Sequence, residues 1–473
     1  MNITKLKHVH FMGIGGSAIS GVALMCQEEG FTVSGCDLDT DTAYLGKVKK
    51  SIKRIFSGHD KNHLINADLL VVSPSVLFRN ENHPEVMEAN KRKILLTWEE
   101  FLGKYLHKKK QVICIAGTHG KSTTTAMSGL LFEKANFDPS VIIGAKVKEW
   151  EGNFRMGAGD VFITEADEFF DNFLHYYPEV IILNNIEFDH PDYFKSEKDI
   201  LRSFEKFVKH LVGKKILIVN QDSIGIKRLF ALLGSRFLKT ISVYGYSLEQ
   251  NPKVKLQFSA KVTINRKISQ DTFFSIKSDK LHLSDDYHLS IPGEYNVANA
   301  SGVIILSKLF EIKNNNIKSV LKNFRGVGRR LELIGEKNGI KVFDDYAHHP
   351  TAIKVTLEAL RQKYFKNRIW AVVELHSYSR TKALLNNYKG VFEEADKVIV
   401  GPIFKARDNK SFGVTGKDVV NKSGHKDAIY LEDLEIILGT LKNNSKKGDI
   451  IIVMGAGYSY KWAREILAKI TES

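Results

Sequence analysis

Seven residues, Gly117-Thr118-His119-Gly120-Lys121-Ser122-Thr123, constrain this chain more than any others. They follow an apolar run, Gln111–Ala116, and lead into a helix-forming stretch. A strand, a glycine-rich turn and a helix in that order make a phosphate loop. The glycines let backbone N–H groups face phosphate oxygens, and the helix N-terminus attracts anions. Lys121 is placed to reach the terminal phosphates, and Ser122 sets a hydroxyl where Mg²⁺ sits in such loops. The loop is a shortened variant, because Ile115 stands where the first glycine is usual.

The same unit recurs on both sides. His8–Met12 reads as a strand, followed by Gly13-Ile14-Gly15-Gly16 and a helix over 17–29. Residues 31–36 form the next strand, ending at Asp37, and 68–73 another, stopped by Pro74. Gly13-x-Gly15-x-x-Ala18 with Asp37 is a nucleotide fingerprint, in which Asp37 takes a ribose hydroxyl. The basic stretch 106–110 reads as a linker into the phosphate-loop domain. There, strands over 161–164 and Val180–Leu183 close on Glu165-Ala166-Asp167-Glu168 and Asn185-Ile186-Glu187-Phe188-Asp189-His190. Open α/β sheets bind ligands beyond the carboxyl ends of strands, so Glu165 and His190 join Ser122 as candidates to hold Mg²⁺ against nucleotide phosphates. Residues 253–291 alternate in polarity and predict an antiparallel patch before a helix over 296–310. Strands over 340–344, 368–374, 397–400 and 449–454, with a helix over Pro350–Lys363, complete a third unit. Near its start lie Arg329-Arg330-Leu331-Glu332 and Asp344-Asp345-Tyr346-Ala347-His348-His349-Pro350. Pro350 suits the first helical position, and the two histidines stand where an anion can bind.

The expected fold is α/β in three domains. A Rossmann-like domain spans 1–107, and a P-loop-type ATPase domain over 108–326 has a parallel sheet plus a small antiparallel patch. A Rossmann-like domain follows over 327–473. A length of 473 residues requires several cores, and 43% apolar with 26% charged residues is ordinary for a globular chain. The net charge of +15 suits nucleic acid, a membrane surface or a phosphorylated small molecule. The lysines are scattered, however, and read mainly as solvated surface, so neither nucleic acid nor membrane is expected. Cys26, Cys36 and Cys114 fit no CxxC or zinc spacing, and Cys26 and Cys114 read as buried thiols. Few cysteines, no signal peptide and no apolar run of spanning length predict a cytoplasmic protein.

Taken together, these motifs resemble the Mur ligases along essentially the whole chain and in family order. The resemblance rests on Gly13-Ile14-Gly15-Gly16-Ser17 with Ser20-Gly21, the loop 117–123, the Glu165 segment and Asn185…Asp189-His190. It continues through Gly293…Asn296…Asn299-Ala300, Arg330-Leu331-Glu332 and the Asp345–Pro350 motif. It implies an ATP- and Mg²⁺-dependent ligase with UDP-substrate, ATPase and amino-acid domains, acting in peptidoglycan precursor synthesis. His376-Ser377-Tyr378-Ser379-Arg380-Thr381 and Gly455-Ala456-Gly457 are similar to the branch that joins L-alanine to UDP-N-acetylmuramate. The branch that reattaches a whole tripeptide to the same sugar nucleotide stays open. Departures from the pattern are Ser122 for Thr, Leu375 and Ser377 for Pro and Arg, Tyr458 where Asp is common, and Tyr295 where His often stands.

The resemblance also implies roles. Gly117, Thr118, His119, Gly120, Lys121, Ser122, Thr123, Asn185, Asn296, Arg330 and Asp345 surround ATP. Gly13, Gly15, Gly16, Ser17, Asp37 and Ser73 hold the UDP sugar. His348 and Arg380 are the candidates for the acyl phosphate and the alanine carboxylate, with His376 in the same turn also substrate-binding, and Lys121, Asp345, His348 and Arg380 are the catalytic set. A monomer or weak homodimer is expected. Two other readings remain: a nicotinamide-dependent oxidoreductase, which leaves the loop 117–123 unexplained, and a non-catalytic nucleotide-binding protein, against which Lys121, Glu165 and His190 together argue.

Overall fold

Parallel strands covered on both faces must be apolar along their length, and three sheets of such strands organise the chain. The computed structural model describes residues 6–39, 42, 44–80 and 82–470. The first sheet contains β1 (His8–Met12), β2 (Thr32–Asp37), β3 (Arg54–Ser57), β4 (Leu69–Val72) and β5 (Leu95–Thr97), ordered β3-β2-β1-β4-β5. All its pairings are parallel. The chain order reverses between β1 and β4, so a crevice opens beyond their carboxyl ends. Gly13, at φ +79°, and Ser73 face each other there.

The second sheet has ten strands: β6 (Gln111–Ala116), β7 (Ser140–Val147), β8 (Gly152–Arg155), β9 (Val161–Ala166), β10 (Val180–Leu183), β11 (Ile216–Asn220), β12 (Ser242–Ser247), β13 (Phe258–Ile268), β14 (Asp271–Ser278) and β15 (Leu283–Leu289). Their order is β15-β14-β13-β12-β11-β10-β6-β9-β7-β8. The expected antiparallel patch, β13 to β15, is not a separate layer. β13 pairs in parallel with β12 and extends the main sheet. The backbone groups at the edge of β12 take a partner there instead of water. The reversal between β6 and β10 makes a second crevice, beside the phosphate loop.

The third sheet contains β16 (Glu332–Lys337), β17 (Ile340–Asp345), β18 (Ile369–His376), β19 (Lys397–Phe404), β20 (Ala428–Tyr430) and β21 (Ile450–Met454), ordered β16-β17-β21-β18-β19-β20. β16, which pairs antiparallel with β17, was not expected. It is an exposed, charged edge with no apolar alternation to mark it.

The cores divide the molecule unevenly. Phe11, Val22, Phe101 and Leu102 from around the first sheet share one apolar cluster with Cys114, Phe162, Phe173 and Tyr176 from the second. The stretch 106–110, read as a linker, is part of this junction. The His107 ring packs 4.7 Å from Phe162 and 4.9 Å from Tyr176, and burial pushes its pKa down to about 3. Gly21 is forced by the same approach, since a Cβ there would stand 2.7 Å from Ile142. The third sheet has apolar clusters of its own on its two faces. Among the described residues, no helix is long and apolar enough to cross a membrane.

Candidate active site

The phosphate loop is built by backbone geometry. Gly117 (φ +129°) and Gly120 (φ +82°) adopt conformations that side chains rarely allow, and a Cβ on Gly120 would meet Asn299 Oδ1 at 2.4 Å. Asn185, expected at the nucleotide, instead braces the loop. Its Oδ1 accepts from the His119 N–H at 2.9 Å and its Nδ2 donates to the His119 carbonyl at 3.2 Å. Asn184 donates to Thr124 Oγ1 at 3.1 Å. Asn184 and Asn299 were not picked out as site residues. Asn299 carries a faint signal, because it lies one helical turn after Asn296. The helix Lys121–Lys134 has no side-chain cap at its N-terminus and no acid in its first turn, which leaves that end for an anionic ligand.

Lys121 Nζ donates to the Gly117 carbonyl at 2.8 Å and to Glu168 Oε2 at 2.7 Å, and lies 3.4 Å from Asp167. Burial alone would lower its pKa, but Glu168 and Asp167 raise it, so the ammonium stays charged. Burial lifts the Glu168 carboxyl to about 7 against the pull of Lys121, and its Oε1 has no protein partner. The acid opposite Lys121 is therefore Glu168, three residues beyond Glu165. Glu165 lies inside β9 rather than after it. It accepts the Gly144 N–H at 2.7 Å and the Ser122 hydroxyl, while burial raises its pKa. A carboxylate beside a hydroxyl is a hard oxygen donor pair of the kind Mg²⁺ takes.

His190 does not complete that donor pair. Its Nδ1 accepts from Arg380 at 3.3 Å, its ring packs 4.6 Å from Phe169, and burial lowers its pKa, so it is neutral. A neutral imidazole that accepts at Nδ1 carries its proton on Nε2 and has no lone pair left for a metal. In this arrangement Ser122 and Glu165 form the oxygen donor pair, while Nδ1 of His190 is taken by Arg380.

Arg380 is 4% exposed, in the short helix Tyr378–Ala383. Its Nε donates to Asp189 Oδ1 at 2.6 Å, and its Nη1 donates to His376 Nδ1 at 2.8 Å and to the His376 carbonyl at 2.9 Å. The fork expected to face an amino-acid carboxylate is engaged by Asp189, across the boundary between the second and third sheets. Burial would raise the Asp189 carboxyl, but the Arg380 guanidinium holds it well below the usual range. Burial and Arg380 depress both His348 and His376, the latter to about 3. The rings of these two histidines lie 5.6 Å apart, and His348 donates Nδ1–H to the Tyr346 carbonyl at 2.8 Å, leaving Nε2 as an acceptor. Glu187 accepts from Thr351 Oγ1 at 2.7 Å and stands 3.4 Å from His119 Nε2. Burial would raise its pKa, but these partners bring it to about 2.

Several residues expected at the ligands also make structural contacts in this arrangement. Asp345 accepts the Leu331 N–H at 2.8 Å and the Ala347 N–H at 2.7 Å, so it fixes the turn that carries Arg330. The Arg330 guanidinium lies 5.2 Å over the Tyr346 ring. The Asn296 side chain donates to the Pro292 carbonyl at 2.7 Å, at the start of its own helix. His349, paired with His348 as a possible anion binder, caps the helix Pro350–Lys363 by accepting the Thr351 N–H at 3.2 Å. Glu374 was not anticipated. Buried in β18, it accepts the N–H groups of Gly457, Tyr458 and Ser459 and so holds the Gly455-Ala456-Gly457 turn.

In the first domain Asp37 is drawn to the loop itself rather than left for a ribose. Its Oδ2 accepts the Gly15 N–H at 2.7 Å and its Oδ1 the Asp39 N–H at 3.1 Å. Gly16 precedes the helix Ser17–Glu28, and Ser17 is exposed with its carbonyl bonded to the Asn153 amide. The structure thus gathers two groups. Lys121, Ser122, Glu165 and the loop form one, joined to His190, His348, His376 and Arg380 through the Glu187–Asp189 segment. The crevice of Gly13, Gly15, Ser73 and Asp37 forms the other.

Three family models match the chain in sequence: the Mur ligase family catalytic domain over 8–110, the Mur ligase middle domain over 115–307 and the Mur ligase glutamate ligase domain over 329–457. A UDP-N-acetylmuramate–L-alanine ligase of Caldicellulosiruptor bescii is 34% identical over 97% of this chain and 98% of its own length. One from Acetivibrio thermocellus is 35% identical over 97% and 95%. The crystal structure of UDP-N-acetylmuramate-alanine ligase from Thermotoga maritima has the same fold. Its TM-score is 0.78, with 23% identity over 98% of this chain and 99% of that one.

Proposed function

The chain belongs to the Mur ligase family, and from that premise we propose that it joins L-alanine to UDP-N-acetylmuramate at the expense of ATP. The reading is carried by the full-length similarity to relatives of that name, 34% and 35% identical. The reaction runs through an acyl phosphate. The muramate carboxylate attacks the γ-phosphorus of ATP, ADP leaves, the alanine amine adds to the acyl carbon, and the tetrahedral adduct expels phosphate. No protein nucleophile is needed, so catalysis is positioning and charge stabilisation. The uncapped helix end and the loop N–H groups receive the ATP phosphates, and Lys121 meets charge that grows on the γ-phosphoryl group. Ser122 and Glu165 are the donors suited to Mg²⁺, which when bound would neutralise phosphate charge. His190 can join them only when Arg380 withdraws from its Nδ1, which ties a further metal contact to the position of the third domain. His348, with Nε2 free to accept, and Arg380 stand nearest the acyl phosphate and amine. We place the domain divisions near 107 and 326.

The test is phosphate release with UDP-N-acetylmuramate present and the amine varied. L-Alanine should support turnover far above glycine, and the tripeptide should support none. Turnover with tripeptide and not with alanine would assign the chain to the recycling branch. Glu165→Ala should raise the Mg²⁺ concentration for half-maximal rate at least tenfold while leaving UDP-sugar affinity unchanged. An unshifted Mg²⁺ dependence would remove Glu165 from the metal site.

A further inference from the structure

A second constellation lies in the first domain, away from the phosphate loop, and the ligase chemistry does not use it. His10 (β1), Cys36 (β2), His63 and Glu85 bring one donor atom each to within 4.8 Å of one another. His10 Nε2 is 3.0 Å from Glu85 Oε1 and 3.3 Å from Cys36 Sγ. Cys36 Sγ is 3.6 Å from Glu85 Oε1, and His63 Nδ1 is 3.6 Å from the same oxygen. Tetrahedral coordination with bonds of about 2.0–2.3 Å sets neighbouring donors roughly 3.3–3.7 Å apart. Three of these four spacings match the edges of such a site, and the His10–Glu85 pair is slightly closer. His10 and Glu85 have no exposed surface, and neither does Cys36.

The hydrogen bonds behind His10 supply an independent argument. A chain runs from the Asn66 carbonyl to His8 Nδ1 (2.8 Å), from His8 Nε2 to Ser34 Oγ (2.7 Å), and from Ser34 Oγ to His10 Nδ1 (2.7 Å). The carbonyl can only accept, so a neutral His8 carries its proton on Nδ1 and accepts at Nε2. Ser34 donates to that nitrogen, and its oxygen accepts from His10 Nδ1–H. His10 Nε2 is then left with a lone pair aimed at a carboxylate and a sulfur, where a metal ion can replace the thiol proton that Cys36 otherwise shares with Glu85. Outer hydrogen bonds that fix the tautomer of a histidine ligand in this way are the rule at zinc centres. Two neutral imidazoles, a thiolate and a carboxylate offset a 2+ charge, which a buried site requires. His59 Nδ1, 3.0 Å from the sulfur, is positioned to donate to the thiolate, and the His63 ring is held by stacking 4.3 Å from Phe56. A surface cavity of ≈ 440 Å³ lined by Ser34, Phe56, Asp60 and His63 lies on the His63 side of the group.

We infer that His10, Cys36, His63 and Glu85 bind one zinc ion as a structural site. Its place explains what it does. Cys36 is the residue whose carbonyl accepts the N–H groups of Gly13 (2.8 Å) and Ile14 (3.2 Å), so the metal ties β1, β2 and the helix Pro84–Lys91 together beneath the Gly13–Gly16 turn.

The test uses the full chain, purified under reducing conditions from zinc-supplemented medium and washed with a weak chelator. Elemental analysis should find about one zinc per chain. Cobalt exchanged into the site should give a thiolate-to-cobalt charge-transfer band, which cobalt bound to the oxygen donors of the ATP site cannot give. Cys26 and Cys114 lie inside an apolar cluster and cannot supply the sulfur. Cys36→Ser should abolish the band and weaken zinc retention more than tenfold, and Glu85→Gln should weaken retention while keeping the band. A wild-type chain that retains no zinc, shows no charge-transfer band or keeps the band after Cys36→Ser overturns the site. The wild-type metal content decides the question even where a variant fails to fold, and it stands independently of the ligase assay.

Discussion

Lys121 is held between a carbonyl, Gly117, and a buried acid, Glu168. When phosphate enters the loop, the ammonium has a second anion to meet, and its charge counts most where charge develops in the transition state. Lys121→Ala should cut ligation at least a hundredfold, about 2.7 kcal/mol of transition-state stabilisation. Burial raises the Glu168 carboxyl and chiefly Lys121 pulls it back, so without the lysine the orphaned acid takes up a proton and the fold should survive at neutral pH. Turnover and thermal unfolding measured in parallel decide it, and a folded variant with near-native turnover would remove Lys121 from the phosphate site. Arg380 and Asp189 make the second residue-scale case. A lysine cannot reproduce a guanidinium that bonds Asp189 through Nε and His376 through Nη1. Arg380→Lys and Asp189→Asn should each lower kcat/KM for alanine more than tenfold, about 1.4 kcal/mol. The double variant should be no worse than the poorer single one, because both remove the same contact. Simple additivity in this double-mutant cycle would show that the two residues act separately.

At the scale of elements, the helix Pro350–Lys363 is started by Pro350 and capped by His349, whose other nitrogen reaches the Phe188 carbonyl at 3.3 Å. One histidine thus both begins a helix and docks the third domain, and it does so in the neutral form. Burial, then His119, lowers its pKa from 6.5 to about 4, and burial with Arg380 takes His376 to about 3. The folded state therefore holds fewer protons than the unfolded chain between these values and 6.5. The stability these groups contribute is complete above about 6.5 and is lost as pH falls toward 4. Glu187, lowered to about 2, acts in the same direction, with its contribution lost below about 4.5. Urea unfolding followed from pH 7.5 to 4.5 should show falling stability, with a shallower slope in His349→Gln. An identical slope in that variant would acquit His349.

Across the whole molecule, the first two sheets share an apolar cluster, whereas the third keeps its own cores and meets the second through Thr351–Glu187, Arg380–Asp189 and Arg407–Asp192. Polar interfaces of this kind permit rigid-body motion, and a ligase with a water-sensitive acyl phosphate needs a site that opens and closes. Glu187→Ala should loosen the third domain. The radius of gyration from small-angle scattering should rise and kcat should fall, while the affinity for the UDP sugar, which we assign to the first domain, stays within twofold. Unchanged scattering together with lost UDP-sugar binding would contradict this division of labour.

Local chemistry is legible in a chain because neighbours in sequence decide it. The phosphate loop, the buried strands around it and the Pro350 helix start all depend on residues within a few positions of one another, and each lies where the sequence predicts. Antiparallel β16 escaped because an exposed edge needs no apolar pattern. Side-chain partners are a different matter, since they depend on which strand ends meet. The spacing from Lys121 to Glu165 suggests a metal site but cannot show that Glu168 takes the lysine, or that Asp189 takes Arg380 from 191 residues away. His10, Cys36, His63 and Glu85 carry no recognisable spacing, because two adjacent parallel strands and two helical segments packed on them meet whatever length of chain separates them. The strand, loop and helix chemistry was determined by the sequence; which buried charges face each other was decided by the tertiary structure.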